Sequence, residues 1–219
     1  MKTQFGKIVR ESKACVLCSS CEATTKEHIP PRGLFTKKPR EYLAVPSCDE
    51  CNHSTKLDDE YLQQTMSGAS LVGQGRMVWK NKVAPKFKDF PKTQAGLRNI
   101  TSVRKLDING IGKMNMPVME LDAKRINTSI RKMVFGLYWF HTNLLLESST
   151  TVNTYFFNAV EAPKFLKGTI GTTLSRQTAM GVYTDPEVVD TFFYTVAISD
   201  TSSLWFFSFY KQNLIIATT

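Results

Sequence analysis

The 219-residue chain has no apolar run approaching the roughly 20 residues that a membrane-spanning helix requires, so no such helix is expected. Residues 1–13 are polar and charged, without the apolar centre of a signal peptide. Histidine is scarce, at three residues, and cysteine does not recur after residue 51. Five cysteines is an odd number, and four of them fall in Cys-x-x-Cys pairs. That usage disfavours a secreted disulfide framework and fits bound metal in a reducing cytoplasm, the expected location. There is no internal repeat and no low-complexity tract. The apolar fraction of 42% excludes wholesale disorder, and the length suits one large or two small domains with an ordinary core.

Acidic residues are short of balancing the basic ones, leaving a formal charge of +9. The excess is local. Residues 76–132 carry 14 Lys/Arg against 4 Asp/Glu, whereas residues 1–60 carry 10 against 9. A basic stripe of this kind is the electrostatic footprint of a phosphate-backbone binder, although a solvated face that aids solubility has the same composition.

All five cysteines and two of the three histidines lie between Cys15 and Glu60. Cys15/Cys18 and Cys48/Cys51 bracket the run Thr25-Lys26-Glu27-His28-Ile29-Pro30-Pro31, and Asn52-His53 follows the last cysteine. Paired thiolates on two tight turns are what tetrahedral zinc requires. Cys21 crowds the first pair, so Cys15/Cys18 and Cys18/Cys21 are both open as ligands. Residues 24–29 can form a strand that Pro30-Pro31-Arg32-Gly33 ends. Residues 42–45 suit a second strand. From Asn52 onward the pattern is helical, with Leu57, Tyr61, Leu62 and Met66 as an apolar stripe.

Further on, three glycines between Gly68 and Gly75 suggest a flexible link. Residues 76–116 show no clear period. Residues 121–142 form the strongest helical pattern, with Ile126, Ile130, Met133, Val134, Leu137 and Tyr138 at three- and four-residue steps. His141 on that helix reads as a core or boundary residue. The last third reads as strands over 151–160, 192–199 and 204–210, with 214–218 as an added edge. The aromatics at 192–210 suit the inner face of a sheet better than a base-stacking platform.

The order Cys-x-x-Cys, Glu27-His28, Cys-x-x-Cys-Asn52 resembles the HNH (ββα-metal) nucleases, in the branch with a four-cysteine structural zinc. The resemblance covers about residues 15–60. It implies Cys15, Cys18, Cys48 and Cys51 as zinc ligands, with Cys18/Cys21 as the alternative first pair. It implies His28 as general base, suited to an imidazole titrating near neutrality. It also implies one oxygen each from Glu27 and Asn52 for a divalent cation, and oxygen ligation suits Mg²⁺ or Mn²⁺. Many members carry Asp where Glu27 stands and His where Asn52 stands. His53 is the other candidate ligand, about 100° round the helix from Asn52. Lys56 returns to the face of Asn52, either as a phosphate contact or as an ordinary surface lysine.

The expected fold is α+β: a zinc-stabilised ββα-metal module over 1–70, then a basic segment and an α+β domain over 71–219 with a helix packed on an antiparallel sheet. The expected function is metal-dependent phosphodiester hydrolysis. Nucleic acid, DNA first, is the expected partner; no membrane is expected, and self-association is compatible with the sequence. A non-catalytic zinc-ribbon adaptor and an RNA-directed nuclease are the competing readings.

Overall fold

The computed structural model describes residues 12–37, 39, 43–70, 72–89, 101–108, 112–119, 121–157, 178–180, 186–200 and 202–219, with 87–89, 101–108, 112–119, 178–180 and 186–187 described by backbone alone. The fold is mixed α and β. Residues 12–24 curl into a knuckle closed by Cys15 N–H donating to Cys21 O at 2.8 Å and Ala23 N–H donating to Lys13 O at 2.8 Å. Strand β1 (Thr25–Ile29) follows and pairs antiparallel with β2 (Leu43–Ser47), placing Glu27 opposite Val45. The expected strands are therefore found, the second running two residues further. Pro46 is tolerated because it turns its carbonyl away from β1, where it accepts from Val16 N–H at 2.9 Å, so the donor it lacks is not one the ladder uses.

Helix α1 (Asp49–Ser54) starts three residues before the expected helix, because Cys48 caps it: its sulfur accepts from Cys51 N–H. A break at Thr55 separates α1 from α2 (Lys56–Gly68). Tyr61, Leu62 and Met66 are buried as the stripe predicts, but Leu57 is 68% exposed. The reason is that the first turn of α2 meets its neighbour through Asp58 and Asp59 instead. Arg125 Nε lies 3.0 Å from Asp58 Oδ1, and Ser129 Oγ donates to Asp59 Oδ1 at 2.9 Å.

The expected glycine link, residues 68–75, is helix at both ends, with a break between. Gly68 ends α2 and Gly75 lies inside α3 (Gly73–Val78), which continues through a π turn (Trp79–Val83) into α4 (Ala84–Asp89). A Cβ on Gly75 would lie 2.4 Å from the Ser70 side chain, so glycine serves close packing there. Strands β3 (Thr101–Ile108) and β4 (Gly112–Met119) form a hairpin inside the basic segment. Residues 90–100 of that segment lie outside the described residues.

The long helix α5 (Ala123–Thr142) matches the expected one. Beyond it come β5 (Asn153–Phe157), β6 (Thr178–Met180), a short helix α6 (Pro186–Thr191), and β7 (Phe192–Ile198), β8 (Ser203–Phe209) and β9 (Asn213–Thr218). They form an antiparallel sheet in the order β5-β9-β8-β7-β6. The expected edge strand β9 is thus interior, paired with β5 and β8. Its nearly continuous burial is what two covered faces demand. Residues 158–160 of the expected first strand lie outside the described residues.

Phe192, Tyr194, Trp205, Phe207 and Phe209 are buried, the first four stacked and Phe209 tilted against Phe192, so these aromatics are core. They share one apolar cluster with α5, Ile29, Val45 and Leu62. His141 sits at its boundary with Nε2 3.0 Å from the Tyr194 hydroxyl. Helix α5 crosses the β1–β2 hairpin at Gly136, where a Cβ would fall 1.8 Å from Ile29 Cδ1 and 3.3 Å from Val45 Cγ2. Gly136→Ala is therefore expected to lower stability by about 1–3 kcal/mol, the range for overpacking. Urea melts check this; an unchanged midpoint would show that Ile29 re-orients freely.

Candidate metal centre and the neighbouring polar site

Two short turns bring the four sulfurs together. Buried Val16 and Leu17 fix the first Cys-x-x-Cys loop against the core, and Ser19 takes a left-handed φ of 58° to close it. In the second, the cap of α1 holds Cys48 and Cys51 one helical turn apart. The ligand atoms of Cys15, Cys18, Cys48 and Cys51 all lie within 4.8 Å of one another. Cys21 is exposed and outside this cluster, which decides between the two possible first pairs.

The thiols respond in opposite directions. Burial pushes the Cys18 thiol up, but hydrogen bonds from Ser20, Cys21 and Cys15 outweigh it and bring it down to about 6. The Cys51 thiol is raised by burial and by the sulfurs of Cys48 and Cys15. Several thiolates this close repel unless a cation neutralises them. Four soft donors with no oxygen among them fit zinc in a closed, structural role.

Beside this cluster the hairpin presents Glu27 and His28 on opposite faces of β1, as strand alternation requires. Asn52, on α1, donates from Nδ2 to Thr25 Oγ1 at 3.2 Å. Thr25 is two residues before Glu27, so Asn52 is held on Glu27's face of the strand. On the other face, Arg32 Nη2 donates to His28 Nε2. Arg32 opens the 3₁₀ turn Arg32–Leu34 that the Pro-Pro stop creates, and this turn carries it back over the strand end.

Glu27 is only 6% exposed. Its Oε1 accepts from His28 N–H at 2.9 Å and lies 3.3 Å from Lys132 Nζ. Lys132, itself buried on α5, also pairs with Asp59 Oδ2 and donates to Thr55 Oγ1 at 3.3 Å. Burial raises the carboxyls of both Glu27 and Asp59 above their ordinary range, with the Lys132 charge pulling each back. One cation thus holds two carboxylates, joining hairpin, α2 and α5.

The remaining candidates lie elsewhere. His53 is exposed, its Nδ1 2.8 Å from Asp49 O of its own helix. Lys56 is exposed at the start of α2. Neither makes a described contact with Glu27, His28 or Asn52.

Sequence reasoning missed Arg32, Asp59 and Lys132. Lys132 left a faint signal, a lysine directly before Met133 and Val134 in the most apolar helix of the chain. Its partners are 73 and 105 positions away, beyond any local pattern. In comparisons with protein-family models, curated proteins and solved structures, the chain matches none.

Proposed function

We propose that the chain is a metal-dependent endonuclease of the HNH (ββα-metal) type, acting on DNA, with its zinc confined to the four cysteines. The observation that carries the reading is the contact of Asn52 with β1, which gathers Asn52 and Glu27 on one face of the strand that bears His28. Glu27 and Asn52 would hold a divalent cation through oxygen. Such an ion, when bound, stabilises the oxygen that leaves phosphorus.

The chain's own residues supply the rest. His28 takes a proton from water as the water oxygen bonds to phosphorus and the P–O bond to the leaving strand breaks. Arg32 donates to His28 Nε2, which requires that nitrogen to act as acceptor. A scissile phosphate offers Arg32 a stronger, charged acceptor, and its transfer there frees the imidazole lone pair for the water. Glu27's contacts both fall on Oε1, leaving Oε2 as the oxygen assigned to the ion.

One observation favours a second reading. The burial of Glu27 against Lys132 is what a purely structural carboxylate would show, and it suits a non-catalytic zinc module that binds nucleic acid or protein.

Plasmid cleavage by wild type and His28→Ala, at equal zinc content and with Mg²⁺ or Mn²⁺ added or withheld, separates the two. The expected result is cation-dependent cutting that falls about 10²-fold or more in the variant. Undiminished cutting by His28→Ala would overturn His28 as the base, and no cutting by wild type on plasmid, branched DNA or RNA would overturn the nuclease assignment.

A further inference from the structure

A groove of about 410 Å³ opens between the zinc-cluster side of α1 and the outer face of α5. Its volume falls within the range of small-molecule sites. Lys124, Arg131 and Lys132 contribute cationic side chains, and no carboxylate lines it. Lys132 is committed to Glu27 and Asp59, so Lys124 and Arg131 supply the charge that a ligand would meet. Ser54 adds a hydroxyl, whereas the Thr55 and Thr128 hydroxyls donate to Cys51 O and Lys124 O of their own helices.

Two details narrow the ligand. The Arg131 guanidinium carbon lies over the Phe135 ring, 4.0 Å from its centroid, and the group is tethered by Nη2 donating to Ser148 O at 2.6 Å. Arg131 is partly buried and lines the groove, and a guanidinium tethered over a ring is a planar cation of the kind on which a flat group stacks. Asn127 also lines the groove, and its Oδ1 is buried without a hydrogen-bond partner among the described residues. A buried acceptor left unpaired is costly, and a ligand N–H or O–H would satisfy it.

We propose that this groove binds one nucleotide unit. The phosphate meets Lys124 and the Ser54 hydroxyl, the base stacks on the Arg131 plane, and a base or sugar donor reaches Asn127. The choice of a nucleotide over other flat anions rests on the nuclease reading. The unit is either a free nucleotide or a residue of the substrate strand, and the phosphate and base are common to both. Lys132 and Thr55, which line the groove, also meet at Lys132 Nζ beside Glu27, so a strand held here runs next to the hairpin.

The test is a titration of the zinc-loaded full chain, without Mg²⁺, by amide NMR. The probes are 5′-phosphorylated dithymidine, thymidine monophosphate and inorganic phosphate. Saturable shifts at Asn127, Thr128 and the Arg131 side chain are expected. Lys124→Gln with Ser54→Ala, both exposed at the groove rim, is expected to weaken the dinucleotide about tenfold at unchanged zinc content. Tighter binding of the dinucleotide than of the monophosphate assigns the strand, and equal binding assigns the free nucleotide. Inorganic phosphate binding as tightly as either, shifts confined to other surfaces, or unchanged affinity in the double variant would overturn the proposal. No cleavage by wild type while the groove still titrates would remove the nuclease assignment and leave the groove standing.

Discussion

Stripping the metal from Cys15, Cys18, Cys48 and Cys51 is expected to unfold the knuckle, the hairpin and α1 together. These segments are short, and their apolar contribution is small: Val16, Leu17, Ile29, Leu43 and Val45 are buried, but α1 buries no residue at all. The rest of the order in α1 comes from the sulfur cap and the metal it would share. Zinc binding in comparable small modules is worth about 10–16 kcal/mol at neutral pH, more than a typical domain's entire stability. One zinc per chain is expected. Cys48→Ser should lose the metal and the near-ultraviolet signature of the fold, whereas Cys21→Ser should keep both, because the Cys21 thiol is exposed and outside the cluster. Full zinc retention by Cys48→Ser, measured by atomic emission after dialysis, would refute the assignment of that ligand.

The second large effect is expected at Lys132. Lys132→Met keeps the apolar stem but leaves buried Glu27 and half-buried Asp59 without their shared cation. Breaking a buried pair from one side costs about 3–5 kcal/mol, because the remaining charge stays uncompensated. The loss should also depend on pH. Both carboxyls already stand above their ordinary range, so the native state keeps their protons to higher pH than the unfolded chain does. Stability from these groups therefore falls as pH rises from the ordinary carboxylate range through the raised values. Removing Lys132 takes away the attraction that lowers both carboxyls and pushes them higher. The variant should regain stability as pH is lowered from about 7 to about 5, and by more than wild type does. Urea melts at the two pH values, without added Mg²⁺, measure this. A variant that instead loses stability on acidification would show that the carboxyls are not held buried.

Local chemistry was readable where a short stretch of sequence decides the outcome. The Pro-Pro stop after Ile29, the helical period of α5 and the paired cysteines all act over a few residues, and the structure has the corresponding strand end, helix and sulfur cluster. The first Cys pair could not be chosen from the residues themselves, because Cys15, Cys18 and Cys21 all permit a tight turn. What chose it was the chain path, which buries Cys15 and turns Cys21 outward. Strand β9 was misread as an edge because two-sided burial depends on which strands flank it, and β5 arrives from 60 residues earlier. Lys132 was hidden for the same reason: a charge inside an apolar helix is explained only by partners brought in by the fold. Leu57 was misplaced because the stripe assumes that the core reaches the first turn of α2, where acidic side chains meet α5 instead.

The turn between β8 and β9 has a mechanical consequence. Tyr210 donates its hydroxyl proton to Leu34 O at 2.8 Å, Gln212 Nε2 donates to Val72 O at 2.8 Å, and Asn213 Nδ2 donates to Met66 O at 3.1 Å. Three side chains from four consecutive positions thus rivet the turn after β1, the end of α2 and the approach to α3. A load applied to the carboxyl end of the chain would reach the hairpin through these rivets before it reached the zinc knuckle. The C-terminal sheet serves as the anvil on which the hairpin is held.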